Sequence, residues 1–164
     1  MRPTRESVRQ SDQTYFVSTQ TAERRPFFRH ERWAKLFLDV VEHYRDAYLL
    51  HAFVLMPDHV HLLLSPRESL ERSIQNIKGN FSYRAKRELG WQGEVWQKGF
   101  TDHRIRDVQD FERHIEYIVL SPVRAKLCQT PEEYPHSSLS SATRLDDAPQ
   151  RLKPPESVAI LRTG

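Results

Sequence analysis

The 164-residue sequence has a single cysteine, Cys128. One thiol can build neither a disulfide framework nor a thiolate zinc site, and it fits a reducing compartment. No run approaches the roughly 18 consecutive apolar residues that a membrane span requires. The first residues, MRPTRESVRQSDQ, lack the apolar segment of a secretory signal peptide. We therefore expect a cytoplasmic protein that has no membrane partner.

Charge of one sign is not in strong excess, and internal repeats are absent. The 25 Lys and Arg residues exceed the 22 Asp and Glu residues by three, which gives a net charge of +3. A mildly basic balance permits contact with nucleic acid but does not demonstrate it. The length fits one domain. Composition predicts a flexible basic arm at residues 1–13, a folded domain at 14–138, and an irregular tail at 139–164.

Hydrophobic periodicity and turn signals predict an alternation of strands and helices. The predicted strands are residues 14–21, 48–56, 59–65 and 101–106, and the predicted helices are residues 30–46, 69–89 and 108–120. Ser69 and Asp107 are suitable N-caps. The third helix is expected to end at Ser121, because Pro122 disfavours helical backbone in the residue before it.

This order of elements predicts a fold of the α+β class. Strand, helix, strand, strand, helix, strand is the ferredoxin-like split β-α-β arrangement. We expect a four-stranded antiparallel sheet with helices on one face. The third helix is an addition at the C-terminal end.

The stretch MPDHVHLLL contains two histidines in an apolar strand that follows a tight turn. His59 and His61 project from the same side of the strand, because side chains alternate along it. Two neutral imidazoles at this spacing can hold one divalent metal ion. They could also be two polar residues on a half-exposed strand.

Other enzymes that use a His-x-His pair fit the sequence less well. A histidine-triad nucleotide hydrolase needs a third histidine where this chain has Leu63. A two-histidine phosphoesterase needs a second copy of its motif, and the sequence has none. A zinc hydrolase that takes its third ligand from elsewhere in the chain remains open.

An α-helix turns by about 100° per residue. By this count Tyr117 points away from the apolar stripe of the third predicted helix. His114 and Ser121 lie one turn from it on the same helical face. Such a tyrosine can cover apolar surface with its hydroxyl in water. Beside a metal pair it is a candidate nucleophile, since tyrosine forms covalent phospho-enzymes and a metal offsets the high phenol pKa of about 10.

Three segments together resemble the REP-associated tyrosine transposases, relatives of the single-tyrosine HUH endonucleases. The segments are MPDHVHLLL, IKGNFSYRAKRELGWQGEVWQKGFTDHRIRD and FERHIEYIVLSPVRAKLCQTPEEYPHSS, and the resemblance covers residues 14–138. It implies an HUH endonuclease domain that cuts and rejoins single-stranded DNA beside palindromic hairpins.

The resemblance also assigns roles to residues. It implies that His59 and His61 bind Mg²⁺ or Mn²⁺ and that Tyr117 attacks phosphorus, which leaves a 5′-phosphotyrosine and a free 3′-hydroxyl. Family members usually carry Asn four residues after the tyrosine as a further ligand. Here that position is Ser121, a shorter and weaker ligand. His103 and His114 are further candidates to reach the site.

Basic and aromatic residues could hold the DNA, since cations bind phosphates and flat rings stack on unpaired bases. The candidate cations are Lys78, Arg84, Lys86, Arg87 and Lys98, with Arg2 and Arg5 in the N-terminal arm. Trp91 and Trp96 could stack on bases or fill the edge of the core. The predicted partner is single-stranded or hairpin DNA, bound by a monomer or a homodimer. The alternatives are a non-catalytic hairpin-binding protein with a decayed metal site and a hydrolase of small phosphoesters.

Overall fold

The structure is a computed structural model that describes residues 10–154 and contains a four-stranded antiparallel sheet in the order β2-β3-β1-β4. The strands are β1 (Tyr15–Gln20), β2 (Tyr48–Met56), β3 (His59–Pro66) and β4 (Thr101–Arg104), and the helices are α1 (Glu31–His43), α2 (Leu70–Glu88) and α3 (Val108–Arg124). Because β3 lies between β1 and β2, the predicted α+β class and ferredoxin-like arrangement are confirmed. No helix among residues 10–154 has the length and apolarity needed to cross a membrane.

Helices α1 and α2 pack on one face of the sheet and enclose the larger core. The fully buried aromatic rings of Phe37 and Phe81 lie in this core with Val60 and Leu62 of β3. Burial of each such side chain contributes about 1.5–3 kcal/mol. The hydroxyl of Ser69 caps α2 as predicted, accepting the N–H of Arg72 at 3.1 Å.

The third helix packs on the opposite face, the one expected to be open. Phe111 and Ile118 of α3 belong to a second buried cluster with Val54 of β2 and Leu63 of β3. The carboxylate of Asp107 caps this helix, as predicted, by accepting the N–H of Asp110 at 2.8 Å. Both faces of the sheet are therefore covered.

The prediction that α3 ends at Ser121 is wrong, since the helix continues through Pro122 to Arg124. Proline has no N–H to donate and therefore removes one helical hydrogen bond. The turn is held in other ways: the Ser121 hydroxyl donates to the carbonyl of Tyr117 at 2.5 Å, and the N–H of Ala125 donates to the carbonyl of Ser121 at 3.0 Å. Ser121 and Pro122 are also buried, so packing and these bonds outweigh the local preference.

The chain after α3 runs along the free edge of β2. The N–H of Leu55 donates to the carbonyl of His136 at 2.8 Å, and the N–H of Ser138 donates to the carbonyl of Phe53 at 3.0 Å. The phenol of Tyr134 donates to the carbonyl of Leu55. These bonds satisfy edge groups that would otherwise be open to another strand. We call residues 134–138 the edge clasp.

The predicted terminal regions are partly within the described residues. Residues 139–154 have little regular structure, but Leu152 is buried and the Asp146 carboxylate accepts the N–H of Leu50 at 2.9 Å. At the other end, the Gln10 side chain accepts the N–H of Leu70 at 2.6 Å. Residues 1–9 and 155–164 lie outside the described residues, so the proposed arm and tail remain predictions.

Replacing Tyr134 with phenylalanine tests the edge clasp. We expect a loss of about 1–2 kcal/mol in the free energy of unfolding, because the buried Leu55 carbonyl loses its phenol donor. Urea unfolding measures the change. Tyr83→Phe is the matched control, since that ring is 58% exposed and its loss should stay within about 0.5 kcal/mol. Equal stabilities for the two variants would contradict the role of the clasp.

Candidate active site

The two histidines of the HUH motif lie side by side on the α3 face of the sheet. A two-residue turn, Pro57–Asp58, joins β2 to β3, so that Met56 pairs with His59 across the hairpin. The ring centroids of His59 and His61 are 4.8 Å apart. Strand alternation and the short turn therefore bring the imidazoles together as the sequence predicted.

Hydrogen bonds fix the orientation of both rings. His59 Nδ1 donates to Asp58 Oδ1 at 2.7 Å, and Arg24 Nε donates to Asp58 Oδ2 at 2.9 Å. His61 Nδ1 forms a hydrogen bond of 2.7 Å with the hydroxyl of Ser18, its cross-strand neighbour on β1. In each ring Nε2 is then the nitrogen left to coordinate an ion, which is how metal-binding histidines are usually held.

The electrostatics suit neutral imidazole ligands. Burial, helped by the nearby His59, lowers the pKa of His61 to about 3, so that the ring is uncharged at neutral pH. Burial of Asp58 favours its protonated form, but hydrogen bonds from His59 and Arg24 outweigh that effect and hold its pKa below the usual value. The Asp58 carboxylate therefore stays ionised next to His59, and His61 carries no charge.

Tyr117 of α3 lies on the same side of the sheet as the histidine pair. Its ring centroid is 5.4 Å from that of His61 and 5.8 Å from that of Phe16. The side chain remains 43% exposed, so a DNA strand can approach it. The guanidinium of Arg124 lies 5.9 Å from the centroid of the Tyr117 ring. The imidazoles and the phenol therefore lie on one face of the sheet, with the phenol open to solvent.

Ser121 is buried one turn beyond Tyr117, and its hydroxyl proton is used in the bond to the Tyr117 carbonyl. Only its oxygen lone pairs could face a cation. Its role as a metal ligand stays a prediction.

His103 and His114 gather around Asp110, a residue that the sequence did not single out. Among residues 10–154, these three are the one group of at least three His, Cys, Asp or Glu side chains with potential metal-ligand atoms within 4.8 Å of one another. The Phe16 ring contacts both His61, at 5.1 Å between centroids, and His114, at 4.8 Å. The cluster is therefore a neighbour of the histidine pair.

Lys78 and Arg84, both predicted DNA contacts, have charged or carbonyl partners in the protein. Lys78 Nζ donates to the carbonyls of Gln97 and Gly99, and burial lowers the pKa of this amine. Lys78 therefore fastens the loop that follows α2. Arg84 forms an ion pair with Glu88, with 2.5 Å between Nε and Oε2.

The other predicted contacts are placed differently. Lys86, Arg87 and Lys98 are exposed, and the Arg87 guanidinium also donates to the phenol oxygen of Tyr83 at 3.1 Å. Arg2 and Arg5 lie outside the described residues. Trp91 and Trp96 pack against the larger core, which favours the interpretation that they fill its edge.

A groove of about 360 Å³ lies at the junction of β1 and the loop before β4. Ser18 lines this groove and also bonds His61, which connects the groove to the site. The exposed Lys98 lines it as well and gives it a cation suited to a phosphate.

The family follows from comparison with known proteins. Residues 10–119, most of the chain, match the family of IS200-like transposases. The chain therefore belongs to this family of transposases.

Within it, the resemblance to the REP-associated tyrosine transposases is confirmed. The REP-associated tyrosine transposase of Escherichia coli K12 is 23% identical over 129 residues, covering 76% of this chain and 75% of that protein. A protein of Haemophilus influenzae assigned to the same group is 24% identical over 141 residues, covering 73% and 80%. A solved REP-associated tyrosine transposase bound to a REP hairpin shares the fold with a TM-score of 0.68 and 21% identity over 90% of this chain and 94% of that one.

The low pKa of His61 predicts an acid-sensitive fold. The unfolded chain takes up a proton on this residue below its ordinary pKa of 6.5, whereas the folded protein does so only near pH 3. Stability is therefore lost as the pH falls from 6.5 towards 3. Urea unfolding of the metal-free proteins at pH 7 and pH 5 measures this effect. Between the two pH values, the free energy of unfolding of the native protein should fall by about 2 kcal/mol more than that of His61→Gln.

The matched control is His43→Gln, which changes an exposed histidine of α1. This variant should lose as much stability as the native protein between the two pH values. An equal loss in His61→Gln would show that His61 is not the group responsible.

Proposed function

We propose that this protein is a metal-dependent endonuclease and strand transferase that cuts and rejoins single-stranded DNA beside palindromic, REP-like hairpins. The observation that supports this most directly is the placement of His59, His61 and Tyr117 on one face, with the phenol ring 5.4 Å from the His61 ring. Membership of a transposase family and the fold shared with a hairpin-bound relative support it further.

The donor set fits a divalent cation, Mg²⁺ or Mn²⁺ in our proposal. His59 and His61 would hold it through Nε2, and Ser121 could add a weak oxygen ligand, directly or through water. The remaining positions suit water and phosphate oxygens, which both ions accept. Such an ion stabilises charge on the phosphate oxygens and positions the scissile group.

The chain itself supplies the nucleophile. The Tyr117 oxygen bonds to phosphorus as the bond from phosphorus to the 3′-oxygen breaks. The phenol proton leaves, and the 3′-oxygen gains a proton to become a hydroxyl. The product is a 5′-phosphotyrosine, and attack on it by a 3′-hydroxyl reverses the step and rejoins the strands without ATP. Since one chain supplies both the histidines and the tyrosine, a second copy is not needed to complete the site.

A second candidate is a hairpin-binding protein whose metal site has decayed. The residue that favours it is Ser121, because the resembled family usually has Asn at this position. Its hydroxyl proton is also committed to the Tyr117 carbonyl.

Replacing Tyr117 with phenylalanine separates these functions. Incubation of the native protein with Mn²⁺ and end-labelled hairpin DNA carrying a single-stranded flank should give a covalent protein–DNA band on a denaturing gel. Tyr117→Phe should lose the band at least a hundredfold, because no oxygen remains to attack phosphorus. Tyr83→Phe, a change on the exposed face of α2, should keep it. A gel shift in native conditions without any covalent band from the native protein would favour the binding protein and contradict the nuclease.

The DNA path can be tested at Lys98. We propose that the exposed cations hold phosphates, with Lys98 guiding the strand along the groove beside Ser18. The affinity for the hairpin should fall steeply with added salt, and Lys98→Ala should reduce the slope of log K against log salt by about 1. Fluorescence anisotropy at several salt concentrations measures this slope. Lys35→Ala on α1 is the control, since this lysine is also exposed and does not line the groove. An unchanged slope for Lys98→Ala would contradict the proposed path.

A further inference from the structure

We propose that His103, Asp110 and His114 form a second cation site, which takes Zn²⁺ or a chemically similar transition-metal ion. The site is distinct from the His59–His61 pair and does not depend on the proposed nuclease activity. It would join the edge strand β4 to the beginning of the helix that carries Tyr117.

The donors converge on one buried carboxylate. His103 Nε2 lies 2.8 Å from Asp110 Oδ2, and His114 Nδ1 lies 3.2 Å from Asp110 Oδ1. The two imidazole rings are stacked, with centroids 4.8 Å apart and 17° between their planes. All three donor atoms lie within 4.8 Å of one another, and ligands at about 2.0–2.1 Å from a tetrahedral ion are themselves roughly 3.3–3.5 Å apart. Small side-chain movements would close the site around an ion.

Regular backbone holds each donor. Asp110 and His114 are four residues apart on α3 and so share one helical face. His103 projects from β4, where it is paired with Phe16 of β1. The N–H of Arg106 donates to Asp110 Oδ2 at 2.9 Å, which fixes the carboxylate between the strand and the helix. Asp110 is only 5% exposed.

The donor chemistry selects the class of ion. Two imidazole nitrogens and one carboxylate oxygen are the ligands that Zn²⁺ uses when a fourth position stays open to water. Imidazole nitrogen suits Zn²⁺ and similar transition-metal ions. The two histidines are partly exposed, with 28% and 22% of their side chains accessible, so an ion can enter from solvent.

The proton positions must change when the ion binds. His114 Nδ1 lies 2.8 Å from the carbonyl oxygen of Asp110 and donates to it in the neutral ring. Binding through Nδ1 moves that proton to Nε2 by exchange with water, and His103 likewise presents an unprotonated Nε2. The Arg113 guanidinium lies 3.8 Å from Asp110 on a side chain that is 71% exposed, so it can turn into solvent as the ion arrives.

Cobalt titration tests the site directly, because Co²⁺ replaces Zn²⁺ and gives visible absorption bands whose intensity reports tetrahedral ligands. The starting protein is the His59→Gln/His61→Gln variant, stripped with EDTA, which removes the other pair of imidazoles. We expect one Co²⁺ per chain with tetrahedral bands. Adding His114→Gln should abolish the bands, whereas adding His43→Gln on α1 should leave them unchanged. Absence of Co²⁺ bands in the starting protein, or bands that survive His114→Gln, would overturn the proposal.

A second measurement guards against loss of the fold. Zn²⁺ at 100 times its dissociation constant should raise the Tm of the starting protein by about 5–10 °C. Each variant is compared with its own metal-free Tm, so a change in basal stability does not affect the result. His103→Gln should lose the rise in the same way as His114→Gln. A Zn²⁺-induced rise that persists in both variants would also overturn the site.

Discussion

The packing of α3 against the histidine-bearing face of the sheet is the interaction on which the candidate site depends. Phe111 and Ile118 bury one side of this helix in the second core, together with Val54 and Leu63. Helical periodicity then leaves Tyr117 at the boundary of that core, where its ring lies near His61 but keeps access to solvent. A rotation of the helix by one residue would carry the phenol away from the imidazoles, so apolar packing sets the geometry of the chemistry.

The Asp58 carboxylate that orients His59 is itself held by a turn at residues 23 and 24, where the backbone conformation is unfavourable. Glu23 and Arg24 both have a φ of 54°, which costs roughly 1–2 kcal/mol for a residue with a side chain. This conformation accompanies the hydrogen bond from Arg24 to Asp58, and Asp58 in turn fixes His59. This strained turn, which precedes the pair in the sequence, thus helps to orient His59 as a candidate ligand. Burial, helped by the nearby His59, lowers the pKa of His61 and keeps that ring uncharged.

Local patterns predicted the parts of the fold that depend on near neighbours. Alternation along β3 placed His59 and His61 together, and the position of Tyr117 off the apolar stripe identified it. The cluster around Asp110 was not predicted, because it depends on the direction in which α3 leaves β4. The sequence predicted Lys78 as a cation open to DNA, but its partners are carbonyl groups of a loop about twenty residues later. The end of α3 was predicted too early, at the residue before Pro122, because tertiary packing outweighed the local backbone preference.

The edge clasp has a consequence for how this sheet can grow. It occupies the main-chain groups of Phe53 and Leu55 on the outer side of β2, so another polypeptide cannot extend the sheet there without first displacing residues 134–138. Within the part of the chain that the structure describes, β4 is the other outer strand, and it has only four residues. Short outer strands offer few bonds to an incoming chain. The fold therefore resists the strand-to-strand polymerisation that threatens an open four-stranded sheet, and it leaves side chains rather than backbone as the means by which copies could recognise each other.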